Sequence, residues 1–149
     1  SVASLYYQLK KYDESKEWCN RVLKVNPQNA DAYYRIAVFD YDDVFEKTRV
    51  QGENVEFMSP EERAAALEDI EEGLASLNKA LDIRPDYFDA MEYQNLLWRE
   101  KAKFEKDEAA KAELIRQADL VSQKALQLRL KAQAEEAKKA KKLGGLGAK

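Results

Sequence analysis

Glu68 and Glu72 are the pair in this sequence best spaced for acid and base work. Four residues apart on a helix they share one face, where two carboxylates could hold a metal ion or relay a proton. Nothing converges on them. The chain has no histidine, which removes the imidazole base, the His-dependent triad and the mixed Cys/His zinc site. Its one cysteine, Cys19, sits on the apolar side of a helical pattern, reads as a small core residue and has no partner for an intrachain disulfide. No glycine-rich phosphate loop is present. Without a third group, Glu68 and Glu72 read as solvated surface, so no catalytic residue, metal ligand or cofactor is expected. Turnover lost on mutating either carboxylate would be needed to revive an enzyme reading.

The composition points the same way. At 149 residues and 45% apolar content, the chain is long enough for one domain with a buried core. With 25 basic and 28 acidic residues its net charge is −3, so no long-range field recommends nucleic acid as a partner. A charged fraction of 36%, with 5 glycines and 3 prolines, suits long solvated helices. No apolar run approaches the length of a membrane span, and no signal peptide is visible. The compartment stays open between cytoplasmic and exported, because a targeting segment could precede Ser1.

Six helices are expected. Residues 1–10 carry Val2, Leu5 and Tyr6 on one side, with a soft break at Lys10-Lys11. Tyr12 to Val25 follows, with the stripe Tyr12, Ser15, Cys19, Val22 and Leu23 at helical spacing. Asn26-Pro27 ends it, since the residue before proline is pushed out of the helical region. Asn29 or Asp31 can cap the third helix, which runs to about Thr48 and populates two faces. One carries Tyr33, Ile36, Ala37 and Val44; the other carries Tyr34, Arg35, Val38, Tyr41 and Asp42. Gln51-Gly52-Glu53-Asn54 is the clearest loop, and Val55, Phe57 and Met58 make it stickier than a linker needs to be. Ser59-Pro60-Glu61-Glu62 is a strong helix start, with Ser59 as cap and proline at the first position.

That fourth helix runs to about Ile83 with the stripe Ala66, Ile70, Gly73, Leu77, Ala80 and Leu81. Gly73 costs about 1 kcal/mol against alanine in a helix interior, which is tolerable where another backbone passes close by. A fifth helix after Pro85 carries Met91, Leu97, Trp98, Ala102 and Phe104 to about Lys106. Asp107 caps a sixth, with the stripe Leu114, Ala118, Val121, Ala125, Leu128 and Ala132. Residues 1–131 thus form the domain. Residues 132–149 are expected to be a fraying basic helix end and a disordered tail. Lys138-Lys139-Ala140-Lys141-Lys142 within it reads as solvated helix end, favoured by the helix dipole, with contact to nucleic acid or anionic lipid as the lesser alternative.

An internal repeat outranks these local signals. Asn26-Pro27-Gln28-Asn29-Ala30-Asp31-Ala32-Tyr33 and Arg84-Pro85-Asp86-Tyr87-Phe88-Asp89-Ala90-Met91 end one helix and open the next in the same register. On these residues the chain resembles the tetratricopeptide repeat, a helix-turn-helix unit of about 34 residues. The first unit supplies Ala3, Tyr6, Tyr12, Ser15, Cys19, Val22 and Pro27. Its opening turn is missing, which implies that the chain begins inside a repeat. The second unit supplies Tyr33, Ile36 and Ala37, then Ile70, Gly73, Leu77, Ala80 and Pro85. The third supplies Met91 and Trp98, then Ile115, Ala118, Ser122 and Ala125. Pro27 and Pro85 stand further apart than one unit allows, so the helices of the second and third repeats are expected to extend past the normal hairpin tip. Phe45, Phe57, Ala66, Phe104 and Leu114 are the contacts expected there. Asp40, Gln94 and Asn95 stand where the pattern asks for aromatic, aliphatic and small residues.

The resemblance implies an all-α, right-handed α-solenoid of helical hairpins, whose concave face binds an extended peptide or a helix of a partner protein. Carried over by position, the groove falls on Asp31, Tyr34, Arg35, Val38, Tyr41 and Asp42 of the second unit. In the third it falls on Asp89, Glu92, Tyr93, Leu96, Arg99 and Glu100. Tyrosine and arginine among a few apolar groups suit a binding patch, against the plainer reading that the tyrosines cover adjacent helices. The carboxylate clamp of some chaperone-binding members is not expected, because its places hold Tyr34, Val38, Glu92 and Leu96, with Arg35 the one cation in register. Acidic residues along the groove favour a partner carrying lysine or arginine. The alternative is a structural module without a peptide ligand, forming a homo-oligomer through the severed edge at Val2 and Leu5 or through the loop around Phe57.

Overall fold

The computed structural model describes residues 2–49 and 52–147, with side chains from Lys10 to Arg49 and from Gly52 to Gly145. Among these residues the chain is all-helical and has no strand: α1 (Val2–Val25), α2 (Ala30–Thr48), a short 3₁₀ turn (Val55–Phe57), α3 (Pro60–Ile83), α4 (Phe88–Phe104) and α5 (Glu108–Gly147). The edge at Val2 and Leu5, with Ala3 and Tyr6, lies outside the described side chains.

Helix starts follow the local chemistry. Asn29 Oδ1 accepts from the Ala32 N–H at 3.0 Å, Ser59 Oγ from the Glu62 N–H at 3.1 Å and Asp107 Oδ2 from the Ala110 N–H at 3.0 Å. Each side chain satisfies a first-turn donor that no helical carbonyl can reach. Helices α1 and α3 stop at Val25 and Ile83, just ahead of Pro27 and Pro85.

One expectation about the backbone is corrected. The break at Lys10-Lys11 does not occur, and α1 is a single rod from Val2 to Val25. Gln8-Leu9-Lys10-Lys11-Tyr12 holds neither glycine nor proline, and glutamine, leucine and lysine all favour helix. At the other end α5 runs to Gly147, and residues 132–142 are rich in alanine, lysine and glutamate, which favour helix. Packing nevertheless stops at Ala132: every side chain from Gln133 to Gly145 is exposed. Gly144, where an added Cβ meets nothing within 4 Å, offers a test. Gly144→Ala is expected to strengthen this helix end by about 1 kcal/mol, read as slower amide exchange over residues 140–147 with no change in the melting of the body.

Helices α2 and α3 form one hairpin and α4 and α5 the next; α4 also packs on both α2 and α3, while α1 packs on α2. The core lies between them. Ala37, Val44, Ala66, Ile70, Leu77, Ala80, Ala90 and Leu97 are its central residues, the two helical stripes read from α2 and α3 closing on α4. Gly73 admits a side chain: an added Cβ would stand 2.7 Å from Leu97 Cδ1, whereas the α2 backbone at Ala37 Cα is 3.7 Å away.

The long hairpin tip is closed differently from the expectation. Ala66 is fully buried, and Phe104 packs against the core. Phe57 does not join them and is 80% exposed; Val55 and Met58 on either side of it take the buried places. The reason is geometric, because consecutive residues of a tight 3₁₀ turn point in different directions and only some can face inward.

Candidate functional site

Between α2 and α4 runs a band of tyrosines. Tyr34 stands 5.4 Å from Tyr93 in an edge-on contact and 5.2 Å from Tyr87. Tyr41 meets Tyr93 edge-on at 5.7 Å and stacks on Phe45 at 5.6 Å. Such spacings are the favourable ones for rings, whose positive edges approach negative faces. Tyr34, Tyr41 and Phe45 are placed by the helical repeat of α2, with Tyr93 entering from α4 and Tyr87 from the residue that caps it.

Acids border the band. The Tyr87 hydroxyl donates to Asp31 Oδ1 at 2.7 Å, and the Arg84 guanidinium lies 4.0 Å over the Tyr87 ring while pairing with Asp31 at 3.5 Å. Asp42 is half-buried, and burial followed by the nearby Glu46 raises its carboxyl above the ordinary range. Burial likewise pushes the Tyr34 and Tyr41 phenols up to about 12, with Tyr93 and Asp89 adding to the first and Glu100 to the second. The hydroxyls therefore stay neutral and able to donate at physiological pH.

The other expected groove residues divide. Val38, Glu92 and Leu96 are half-buried, and Asp31 and Asp89 are exposed. Glu92 Oε1 accepts weakly from Ser122 Oγ at 3.5 Å. Arg99 is turned toward α5, donating to Asn95 at 2.8 Å and to Asp119 at 2.5 Å. Two residues stand apart. Arg35 is one position around α2 from Tyr34 and lies against α1 beside Trp18 and Phe39. Glu100 is only 3% exposed; its carboxylate accepts from Thr48 Oγ1 and from Lys103 Nζ, each at 2.7 Å, and ties α2 to α4. Tyr87 and Phe45 belong to the band although the positional reading omits them. The signal for Tyr87 was its place two residues after Pro85, where the chain turns into α4.

Glu68 is exposed, while Glu72 accepts from Lys16 at 3.1 Å as part of the α1–α3 contact. Cys19 is buried, and burial pushes its thiol up, away from the reactive thiolate. Among the described residues no helix is long and apolar enough to cross a membrane.

Stacked helical hairpins with an aromatic seam between their first helices define a helical-repeat protein. The family model described as tetratricopeptide repeat matches residues 1–29, and the all-helical fold is consistent with that likeness. The matched segment is α1 and the turn after it. Comparison with curated proteins and with solved structures returned no match. Repeats of this family generally mediate contacts between proteins, typically as scaffolds without catalysis.

Proposed function

We infer that this chain binds a peptide or helix of a partner protein along the tyrosine band, and that it does so as a scaffold, with no catalytic step and no cofactor. The observation that supports this most is the unbroken ring contact from Tyr87 through Tyr34 and Tyr93 to Tyr41. It joins the first helices of two successive hairpins into one surface. Tyr87 is buried, while the half-buried Tyr34, Tyr41 and Tyr93 supply rigid apolar area at small entropic cost and keep a hydroxyl for hydrogen bonding. Asp31, Asp42, Asp89 and Glu92 along the band draw lysine or arginine on the partner, whose cations also settle on aromatic faces. Val38 and Leu96 supply the apolar floor. Arg35, Arg99 and Glu100 take no part in this contact as the side chains stand.

Peptide arrays probed at low and high salt test the reading. Lysine- and arginine-bearing sequences are expected to bind best, with affinity falling as salt rises. Tyr41→Ala is expected to weaken the best of them by about tenfold or more. Preference for acidic sequences, or indifference to Tyr41→Ala, would overturn it.

A further inference from the structure

Two exposed aromatic features remain outside the tyrosine band. Phe57 stands out from a loop that is tied down on both sides. Arg63 Nε donates to the Met58 carbonyl at 3.3 Å, Lys103 Nζ donates to the Arg49 carbonyl at 2.6 Å, and buried Val55 and Met58 anchor the turn. The backbone that carries the ring is held in place on either side, so seating the ring in a partner costs little further backbone ordering. Glu62 lies beside the ring, and Glu56 and Glu61, close by in sequence, are exposed. The second feature is a cleft of about 410 Å³ between α1 and α2. Its apolar walls are Trp18, Cys19 and Phe39, and Lys11 and Arg35 stand at its edge with Glu14 as the one carboxylate. Trp18 is 66% exposed there.

We propose that Phe57 of one copy of this chain docks in the Trp18–Phe39 cleft of a second copy, with the acidic rim of its loop against Lys11 and Arg35. The cleft has room for one aromatic side chain, and Trp18 and Phe39 offer it ring contacts. Charges of opposite sign surround the knob and the hole, which sets orientation and speeds encounter. Phe57 does not serve its own cleft: its clamped loop holds it over Asp43, Glu46 and Lys47 instead. A pair related by a two-fold axis makes the contact twice, and a contact that does not close propagates into a chain of copies. Knob and hole are small, so the association is weak and reversible. It is independent of the tyrosine band.

Sedimentation velocity over a wide concentration series reads the association directly. The mass of the unaltered chain is expected to rise with concentration, less steeply at high salt. Phe57→Ser removes only an exposed ring, so melting should be unchanged while self-affinity falls by about tenfold or more. Arg35→Glu should weaken it as well, and Glu56→Lys added to that variant should restore part of the loss. In a Trp98→Phe background, emission from Trp18 should shift to the blue as copies associate. A chain that stays monomeric at every concentration overturns the proposal. So does association that survives Phe57→Ser, since it would run through another surface.

Discussion

The folded chain is expected to lose stability steadily as pH rises from about 5 to about 8, against the common trend for carboxylate-rich proteins. The cause is the junction of α1, α2 and α3. Lys16 Nζ lies 2.9 Å from Asp40, 3.1 Å from Glu72 and 3.6 Å from Asp69, one cation shared among three acids. Asp43 joins them through a hydrogen bond to Asp69 and is paired with Lys47 at 3.2 Å. Asp40 is fully buried, and its Oδ2 accepts no hydrogen bond. Burial therefore outweighs Lys16 and raises the Asp40 carboxyl from 3.8 to about 8. Burial and then the bond to Asp43 raise Asp69 to about 7. Burial opposes the charge on Lys16, yet its bond to Asp40 and the surrounding acids hold its pKa above the ordinary lysine value.

The sign follows from proton counting. Above the unfolded carboxyl pKa of 3.8 the unfolded chain has released a proton that folded Asp40 keeps until about 8. The folded state binds more protons across that window, so this contribution is complete below the unfolded value and fades through the folded one. One retained proton is worth about 1 kcal/mol per pH unit. Urea melts at a series of pH values should show at least that slope, since Asp69 retains a second proton up to about 7. Asp40→Asn, an isostere of the protonated acid, should match the parent at the acid end and exceed it at the alkaline end. Lys16→Met removes the cation that holds the Asp40 carboxyl down, and is expected to move the alkaline end of the profile to higher pH. A flat profile, or stability rising toward alkaline pH, would show that Asp40 is ionised in the fold.

Leu97→Ala is expected to destabilise by about 3 kcal/mol, since Leu97 is fully buried where α4 meets α2 and α3 and its loss leaves a cavity. The more informative result concerns its neighbour. Gly73→Ala would gain about 1 kcal/mol of helix propensity, but the added methyl stands 2.7 Å from Leu97 Cδ1 in a filled core. Overpacking of this kind costs about 1–3 kcal/mol, so the single change should be neutral to destabilising. In the Leu97→Ala background the obstruction is gone, and Gly73→Ala should stabilise. Denaturation of the four proteins measures the coupling. Simple additivity would mean that Leu97 does not press on Gly73.

What could be read without coordinates was what short stretches settle by themselves. Asn29, Ser59 and Asp107 cap the helices they precede because the capping oxygen needs only the next three residues. Pro27 and Pro85 end helices through their own ring geometry. The stripe of Ala66, Ile70, Leu77 and Ala80 has to find cover, whichever neighbour supplies it. The doubled junction at those two prolines then announced stacked hairpins and a protein of the repeat class.

Side-chain destinations were decided by which helix came alongside. Tyr34 and Arg35 are adjacent in sequence, yet a turn of about 100° between them puts one against α4 and the other against α1. Glu100 has the composition of a groove residue but faces Thr48 across the α2–α4 contact. Asp40 occupies a core place because Lys16 of α1 reaches it there. Residue type and spacing determined where this chain is helical and which faces must be covered. Only tertiary structure decided which partner covers each, because a helix presents every direction and only the approach of its neighbours distinguishes them.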